Sequence, residues 1–393
     1  MRIVVLGGKL QGVEAVYLAQ KAGWEVRLID RKSTCPASRL CDEFIQADIK
    51  TQDDLNRHVA GADLLIPATE NIETLALLKK NSPRGNIPVL FDFSAYTISS
   101  SKAASNRLFH QLHIPTPMPW PASGFPVVVK PSIGSGSQNV KIFNDAEQLR
   151  DHTNRLSEEQ VMQQFIHGPL FSIEVMGRPG KYFALQTTEL EMDPLLDCKR
   201  VTAPTALPRQ YISEFESIAV RLAESLSLQG LMDVEAVFHD NTFRILEIDA
   251  RLPSQTPTAV WWSSGLNILE LLAFCVLQGD EMKKPVALSS KGVIYEHIRI
   301  KGNILEVAGE HMMSETDALH LQHNFFGADE TLTNYRPHRG EWVATLINTG
   351  ETRPAAWEKR NRVVSDIQRH FGLEEHIDDT CMQLGENHHE TSE

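Results

Sequence analysis

The sequence lacks the features of a membrane or nucleic-acid-binding protein. Its longest mostly apolar stretch, residues 268–277, is far shorter than the roughly 18 residues of a membrane-spanning helix. Acidic residues outnumber basic ones, with 51 Asp and Glu against 38 Lys and Arg and a formal net charge of −13. Nucleic acid and anionic membranes need a basic surface, so neither partner is expected. The first residues enter a strand pattern directly, without a signal-peptide layout, and a cytoplasmic location is expected.

Cysteine is also scarce, and what there is does not form a pattern. The five cysteines are odd in number and have no CxxC or Cys/His metal spacing: Cys35, Cys41, Cys198, Cys275 and Cys381. Neither a disulfide framework nor structural zinc is therefore expected. With 393 residues, of which 42% are hydrophobic, the chain can form two or three domains with cores of their own.

The first 93 residues alternate between strand and helix patterns. Short apolar strands are predicted at residues 2–8, 25–30, 44–47, 64–68 and 89–93, and helices at 10–22, 53–60 and 72–80. This alternation predicts a parallel sheet with helices on both faces.

The middle of the chain has a different pattern. Four prolines within residues 114–121 predict an extended connector. Strands are predicted at 125–130, 140–143, 161–166, 170–176, 183–191, 232–238 and 243–248, and helices at 99–110, 145–156, 210–226 and 266–277. Because few long crossovers separate these strands, an antiparallel or mixed sheet is expected. After residue 290 the pattern is short strands plus a helix at 355–371.

These patterns predict a chain of mixed α/β and α+β class. The expected divisions are an N-terminal α/β domain over residues 1–93, a central domain over 94–290, a smaller β-rich α+β domain over 291–384, and a polar tail over 385–393.

A glycine-rich turn, Gly7 to Gly12, follows the first strand. A dinucleotide-binding turn would require glycine where Lys9 stands, and a P-loop would require Lys-Ser/Thr where Val13 and Glu14 stand. Both nucleotide motifs are therefore excluded. Two alternatives remain, a small-ligand crevice at the carboxyl ends of the strands and a plain tight turn.

A second motif joins a buried strand to a lysine and a Gly/Ser loop. Lys130 ends the apolar run that begins at residue 125, and the loop 132–137 follows. A buried lysine is costly unless it meets an anion, and backbone N–H groups of a glycine loop bind phosphate oxygens. The motif therefore favours a phosphate site over a solvated hairpin.

A third motif brings carboxylates together on two successive strands. Asp233 and Glu235 lie two residues apart, as do Glu247 and Asp249, so each pair points to one face of its strand. Crowded carboxylates repel one another unless a divalent cation lies between them, and oxygen ligands beside phosphate indicate Mg²⁺. The alternative is an exposed acidic face. The residues between them alternate as apolar: Val234, Ala236, Leu246 and Ile248.

The order of these motifs resembles the ATP-grasp superfamily over residues 1–290. The matching series is Lys102, Lys130, the Gly/Ser loop, residues 163–166, Glu235, and Glu247-x-Asp249-x-Arg251. The resemblance implies a Rossmann-like N-terminal domain, a central grasp domain and a C-terminal part that completes the grasp. In detail the chain is similar to ligases of pyrrolysine biosynthesis, which join 3-methyl-D-ornithine to L-lysine.

The resemblance implies a role for each motif. Residues assigned to ATP are Lys9, Lys102, Lys130, Ser132, Gly134, Ser135, Gly136, Ser137, Gln163, Gln164, Phe165, Ile166 and Glu174. Residues assigned to two Mg²⁺ ions, with Mn²⁺ as a substitute, are Glu235, Glu247 and Asp249. Lys130 and Arg251 are assigned to catalysis. Four positions differ from the superfamily pattern: Gln163 and Gln164 stand where acidic hinge residues are usual, Leu170 replaces a ribose-binding glutamate, and Asp249 replaces an asparagine.

The implied activity is ATP-dependent amide formation. A carboxylate of 3-methyl-D-ornithine, or of D-ornithine, becomes an acyl phosphate that the ε-amine of L-lysine attacks. Because ammonium groups need carboxylate partners when buried, Glu14 and Glu70 are expected at the amino-acid site; for Glu70 the alternative is a first-turn helix residue. The residues assigned to the amino-acid substrates are Gln11, Gly12, Glu14, Glu70, Asn71, Asp233, Arg251, Ser254, Gln255 and Thr256.

Two competing functions remain, a carboxyphosphate-forming carboxylase and a nucleotide sensor without turnover. A homodimer is expected.

Overall fold

A computed structural model gives the structure of the protein and describes residues 1–80, 85–134, 136–137, 139–153, 159–278 and 283–381. The predicted tail at 385–393 lies outside the described residues. Within the described residues no single helix is long and apolar enough to cross a membrane.

The N-terminal part is a parallel sheet of four strands in the order β3-β2-β1-β4. Its strands are β1 (Arg2–Leu6), β2 (Glu25–Asp30), β3 (Glu43–Gln46) and β4 (Leu64–Pro67), and its helices are α1 (Leu10–Lys21), α2 (Gln52–Val59) and α3 (Ile72–Lys80). Ile3 and Val5 of β1 pack in the core that contains α1, whereas Val4 and Leu6 pack with α2 and α3. Burial on both faces explains the continuous apolar runs of these strands.

The strand predicted at 89–93 is wrong. Val89 makes one isolated parallel bridge to Leu65, and a helix begins at Phe93. The reason is Asp92, whose side chain accepts hydrogen bonds from the amides of Ser94 and Ala95 and so caps that helix.

A small antiparallel sheet follows, in the order β6-β5-β7. Its strands are β5 (Val127–Pro131), β6 (Lys141–Phe143) and β7 (Gln160–Gln164). The helices of this part of the chain are α4 (Phe93–Ser99), α5 (Lys102–Gln111) and α6 (Ala146–Thr153). The helix predicted at 99–110 is present as α5, and it begins at Lys102 because the Ser101 hydroxyl caps it through the amide of Ala104.

A large sheet contains the remaining strands, in the order β12-β11-β8-β9-β10-β13-β17-β16-β15, with β14 paired to β13 and β18 paired to β14. They are β8 (Leu170–Arg178), β9 (Lys181–Met192), β10 (Cys198–Ala203), β11 (Gly230–His239), β12 (Thr242–Asp249), β13 (Gly292–Lys301), β14 (Ile304–Val307), β15 (His320–His323), β16 (Glu330–Thr333), β17 (Glu341–Gly350) and β18 (Glu375–Ile377). The helices are α7 (Arg209–Ser225), α8 (Thr256–Ser264), α9 (Ile268–Gln278), α10 (His311–Ser314) and α11 (Arg353–Phe371). The expected mixed class is confirmed.

The sequence patterns did not indicate β10 or α8. β10 pairs with β9 on one side and β13 on the other, so one sheet runs through the boundary predicted at residue 290. The domain divisions remain a prediction. The strands after residue 290 are also longer than predicted, since β13 and β17 have ten residues each.

Glu14 joins the N-terminal sheet to the rest of the molecule. It lies in α1, is 2% exposed, and accepts hydrogen bonds from the amides of Thr258 at 2.6 Å and Gln255 at 3.3 Å. These amides belong to the first turn of α8, so a carboxylate from one part of the chain caps a helix of another. Its oxygens are thereby occupied.

Replacing Glu14 should weaken this junction. In Glu14→Ala two buried amides lose their acceptor, and the free energy of unfolding should fall by about 1–3 kcal/mol. Glu14→Gln keeps one acceptor oxygen and should lose less. Urea unfolding measures both, with the exposed helical Glu73→Ala as matched control. Equal stability of Glu14→Ala and Glu73→Ala would contradict the capping role.

Candidate active site

Three cavities meet in a cleft between the sheets. The hinge cavity, about 1260 Å³ including open space, is lined by residues 163–170 and the two lysines of the motifs. The N-terminal crevice, about 1420 Å³, lies at the carboxyl ends of β1 and β4, beside α10. The acidic cavity, about 750 Å³, lies between them. Gly136 lines all three, so the cavities form one continuous site.

The motif carboxylates of the acidic cavity come from the neighbouring strands β11 and β12. The antiparallel register places Asp249, Asp233 and Glu174 in one row across β12, β11 and β8, and Glu247, Glu235 and Ser172 in the next. The prediction that both carboxylate pairs share a sheet face is confirmed.

The predicted alternation of β12 fails at Leu246. The pairing shifts between Glu235 and Ala236, so Leu246 is an extra residue in a β-bulge and lines the hinge cavity. Its carbonyl accepts a hydrogen bond from Nζ of Lys130 at 3.3 Å. The bulge therefore places a backbone acceptor beside the buried lysine.

Two lysines face the carboxylates. Nζ of Lys102 lies 3.2 Å from Oε2 of Glu247 and donates to the carbonyl of Gly134 at 2.6 Å. Burial acts to raise the pKa of Glu247, but Lys102 and Lys130 outweigh it and hold that pKa below its ordinary value. Burial lowers the pKa of Lys130. Lys102, Lys130 and Glu247 therefore bring two cations and one anion together where little water reaches them.

The other carboxylates are less well compensated. Burial, followed by the charge of Glu247, raises the pKa of Glu235 well above its ordinary value. Burial also raises the pKa of Asp249 to about 6, although Arg251 acts against it. Oδ1 of Asp249 is buried and has no hydrogen-bond partner. The cavity therefore carries uncompensated acceptor oxygens.

These oxygens fit a hard cation that shares its coordination with phosphate. Among the described residues no group of three or more His, Cys, Asp or Glu side chains is arranged to hold a metal ion. Mg²⁺ commonly binds one or two carboxylates together with waters and phosphate oxygens of a substrate. Glu235, Glu247 and the unpartnered oxygen of Asp249 suit that arrangement.

Arg251 connects the acidic cavity to the N-terminal crevice. One guanidinium nitrogen, Nη2, lies 2.7 Å from Oδ2 of Asp249 and 3.0 Å from Oε1 of Glu70. Gln11 also donates to Glu70, at 3.3 Å. The cap of α3 is instead Asn71, whose side chain accepts from the amide of Thr74 at 2.8 Å. Glu70 therefore faces the site.

Backbone hydrogen bonds to neighbouring segments hold the hinge segment in place. The amide of Gln164 donates to the carbonyl of Met118 at 2.8 Å, and that of Phe165 to Pro126 at 3.0 Å. Gln163 is 3% exposed. On the opposite wall lie Glu191 and the C-terminal residues Thr380 and Cys381.

Most residues assigned from the sequence line these cavities. Those at the hinge cavity are Lys102, Lys130, Gly134, Gly136, Ser137, Gln163, Gln164, Phe165, Ile166, Glu235 and Glu247. Those at the acidic cavity or the crevice are Gln11, Glu70, Asn71, Asp233, Asp249, Arg251, Ser254, Gln255 and Thr256.

Five assigned residues do not line the cavity of the ligand to which they were assigned. Lys9 is exposed in the N-terminal crevice and pairs with Glu315 at 3.0 Å, away from the hinge cavity. Ser132 is buried and its carbonyl accepts from the amide of Lys102. Glu14 caps α8, and Gly12 is buried where an added Cβ would lie 2.1 Å from the carbonyl oxygen of Gly7. Glu14 and Gly12 are thus engaged in capping and packing, and the roles assigned to Lys9 and Ser132 stay predictions.

Glu174, the fifth, is fully buried behind Asp233 and does not line the hinge cavity. Burial raises its pKa to about 7; the nearby Thr256 hydroxyl acts in the opposite direction but lies outside hydrogen-bonding geometry. Ser172 donates to the neighbouring Asp233. Ser135 lies outside the described residues.

Sequence reasoning missed two residues of the crevice. Glu310 accepts a hydrogen bond from Ser254 at 2.7 Å, and His311 pairs with Asp197 at 2.7 Å. Glu310 directly precedes the four-residue helix α10 and His311 is its first residue, and no spacing or motif marked either of them. A lone His in such a context carries no recognisable signal.

Comparison with known proteins identifies similar chains. A model of the ATP-grasp domain matches residues 99–255. The chain is 34% identical to the 3-methyl-D-ornithine–L-lysine ligase of Methanosarcina barkeri over 373 residues, covering 94% of this chain and 98% of that one. The corresponding ligase of Methanosarcina mazei is 33% identical over 94% and 96%.

Solved structures share the fold. An ADP complex of N5-carboxyaminoimidazole ribonucleotide synthetase superimposes with a TM-score of 0.69 at 14% identity, covering 94% of this chain and 97% of that one. Biotin carboxylase from Campylobacter jejuni gives a TM-score of 0.69 at 14% identity over 93% and 91%.

The buried carboxyl of Glu174 should make stability depend on pH. Its folded-state pKa of about 7 exceeds the ordinary value of about 4.3, so its contribution is present at low pH and lost as pH rises through 7. Between pH 4.5 and 8 the free energy of unfolding of wild type should fall by on the order of 2 kcal/mol more than that of Glu174→Gln. Denaturant unfolding across this range, with the exposed Glu358→Gln as control, measures the difference. Parallel curves for wild type and Glu174→Gln would refute it.

Proposed function

The chain belongs to the family of 3-methyl-D-ornithine–L-lysine ligases within the ATP-grasp enzymes, and from this membership we propose its substrates and the order of its steps. It is an ATP-dependent carboxylate–amine ligase of pyrrolysine biosynthesis. We propose that it joins the carboxylate of 3-methyl-D-ornithine, or of D-ornithine, to the ε-amine of L-lysine. The observation that carries the proposal is the meeting of three cavities at Gly136, which gives ATP and two amino acids adjoining places.

ATP is assigned to the hinge cavity. Adenine lies against residues 163–166, where the amides of Gln164 and Phe165 already donate within the protein, so that adenine contacts fall to the carbonyl of Gln164 and the amide of Ile166. The phosphates extend toward Lys102 and Lys130. Gly134, Gly136 and Ser137 cover them, since backbone N–H groups of such a loop bind phosphate oxygens.

Glu235, Glu247 and Asp249 are the residues that hold Mg²⁺, and we propose two ions with Mn²⁺ as a substitute. Bound there, the metal neutralises charge on the phosphoryl group during transfer. The chain's own cations add to this: Lys102 and Lys130 stand on one side, and Arg251 on the other at the rim of the acidic cavity.

The activated amino acid is assigned to the acidic cavity. Its ammonium groups meet Asp233, and its carboxylate lies near Arg251, where the γ-phosphoryl arrives. Residues 254–256 close this cavity beside α8. Transfer gives an acyl phosphate and ADP, and the desolvated walls shield the acyl phosphate from water.

The amine donor is assigned to the N-terminal crevice. Glu70, Gln11 and Asn71 line it next to Arg251, so an ammonium group finds a carboxylate there. Nitrogen attacks the acyl carbon, the bond to phosphate breaks, and an amide and phosphate result. A homodimer and a cytoplasmic location stay part of the proposal.

The carboxyphosphate-forming alternative has weaker support. It rests on fold neighbours that are 14% identical, whereas the ligases named above are 33–34% identical over nearly the whole chain.

Incubation with ATP, Mg²⁺ and pairs of amino acids tests the proposal. ADP release should require both a D-configured diamino acid and L-lysine, and mass spectrometry should find their condensation product with loss of one water. Omission of either amino acid is the control. Rapid ADP release with bicarbonate alone would support the carboxylase instead.

Glu247→Gln tests the metal assignment. It keeps shape but removes one charge, so the Mg²⁺ concentration needed for half-maximal rate should rise and turnover should fall by at least ~100-fold. The thermal midpoint should change little because the lost attraction of Glu247 to Lys102 and Lys130 is offset by its lost repulsion of Glu235. Glu358→Gln on α11 serves as the control. Normal turnover at ordinary Mg²⁺ would show that Glu247 is only part of an acidic face.

A further inference from the structure

One edge of the His311 ring faces the point where the three cavities meet. His311 lines the N-terminal crevice. A Cβ added to Gly136 would lie 3.1 Å from both Cε1 and Nε2 of that ring. Because Gly136 borders every cavity, Nε2 lies at the junction between the amine crevice and the place assigned to the acyl phosphate.

Asp197 fixes the orientation of this ring. Its Oδ2 lies 2.7 Å from Nδ1 of His311 and also accepts the backbone amide of His311 at 2.8 Å. The Asp197 side chain is 7% exposed. Its own amide donates to Asp193 at 3.0 Å, and the other oxygen of Asp193 accepts from Gly309 at 2.9 Å. The carboxylate is thus held rigidly from two sides.

This geometry selects one tautomer. An ionised carboxylate accepts hydrogen bonds and cannot donate them, so the proton of the neutral ring lies on Nδ1. Nε2 then carries the free lone pair. A His ring oriented by a carboxylate, with its other nitrogen toward the substrate, is the arrangement of a general base.

The reaction needs such a base at this place. The ε-amine of lysine has a pKa of about 10.4, so fewer than about one molecule in a thousand is neutral at neutral pH. Only the neutral amine has a lone pair with which to attack an acyl carbon. A proton acceptor between the amine crevice and the acyl phosphate therefore removes a large barrier.

The other charged groups of the crevice near His311 are engaged with partners. Glu310 accepts from Ser254, Glu315 pairs with Lys9, and Arg251 pairs with Asp249 and Glu70. The ring edge toward Gly136 is therefore better placed to accept a proton than these neighbours.

We propose that His311 is the general base of amide formation and that Asp197 is its positioning residue. The inference rests on the proposed function. Nε2 takes one proton from the ε-ammonium, the freed lone pair forms the C–N bond, and the C–O bond to phosphate breaks. The second nitrogen proton leaves with the departing phosphate. Atoms and charges balance without a further reactant.

Comparison of two amine acceptors tests the proposal. Hydroxylamine is largely unprotonated at neutral pH and does not need a base, so it traps the acyl phosphate as a hydroxamate. In His311→Gln, coupling to lysine should fall by about 100-fold or more, whereas hydroxamate formation should stay within about a factor of three of wild type. Raising the pH toward the pKa of the lysine amine, about 10.4, should restore much of the lysine reaction.

Two further variants sharpen the result. Asp197→Asn should show the same selectivity with a smaller loss for lysine, about tenfold, because the base remains but its tautomer is no longer fixed. His110→Gln is the matched control, since His110 is an exposed histidine at the end of α5. It should behave as wild type with both acceptors.

Each other outcome overturns the inference. Normal lysine coupling in His311→Gln would exclude a base role. An equal loss of rate with lysine and with hydroxylamine would show that His311 acts on the Gly136 loop or on formation of the acyl phosphate. If wild type itself formed neither product, the proposed function would fail, and this result is distinguishable because it does not depend on the variant.

Discussion

The charge balance of the site is governed by carboxylates that repel one another on one buried sheet face. Asp233, Glu235, Glu247 and Asp249 face one another across two strands, with Glu174 behind them. Removing these groups from water raises most of their pKa values, and only added positive charge relieves that cost. The lysines and Arg251 supply part of that charge, and a divalent cation bound there would supply more. A site arranged in this way favours its ligands because without them it is incompletely neutralised.

The same constraint explains how the parts of the chain are joined. Arg251 contacts Asp249 of the large sheet and Glu70 of the N-terminal sheet, so neutralising the acidic cavity also fixes the position of the amine crevice. Glu14 adds a second connection through α8. Both Arg251 and Glu14 are charged and buried at these contacts. A shift of the N-terminal sheet would therefore expose their charges or remove their partners. The crevice is therefore held in register with the acidic cavity.

A separate ionic cluster positions the opposite wall of the hinge cavity. Lys199, Arg200 and Arg360 are almost completely buried and pair with Glu191, Glu296 and Asp378. Asp378 precedes Thr380 and Cys381, which line that cavity. The C-terminal segment is thus held by these ion pairs together with the pairing of β18 to β14.

The sequence by itself determined what depends on local periodicity. Apolar runs and helical spacing predicted the N-terminal strands and helices. The i, i+2 spacing of the carboxylates predicted that they share a sheet face. The order of strand, lysine and glycine loop predicted a phosphate site beside Lys130. Three features were decided by the tertiary structure alone. Glu14 caps a helix through Thr258, 244 residues away. The other two are the bulge at Leu246 and the pairing of His311 with Asp197. These contacts join segments with no common pattern. A side chain's role there is set by what packing brings to it, because burial and partners, not spacing along the chain, fix its charge and hydrogen bonds.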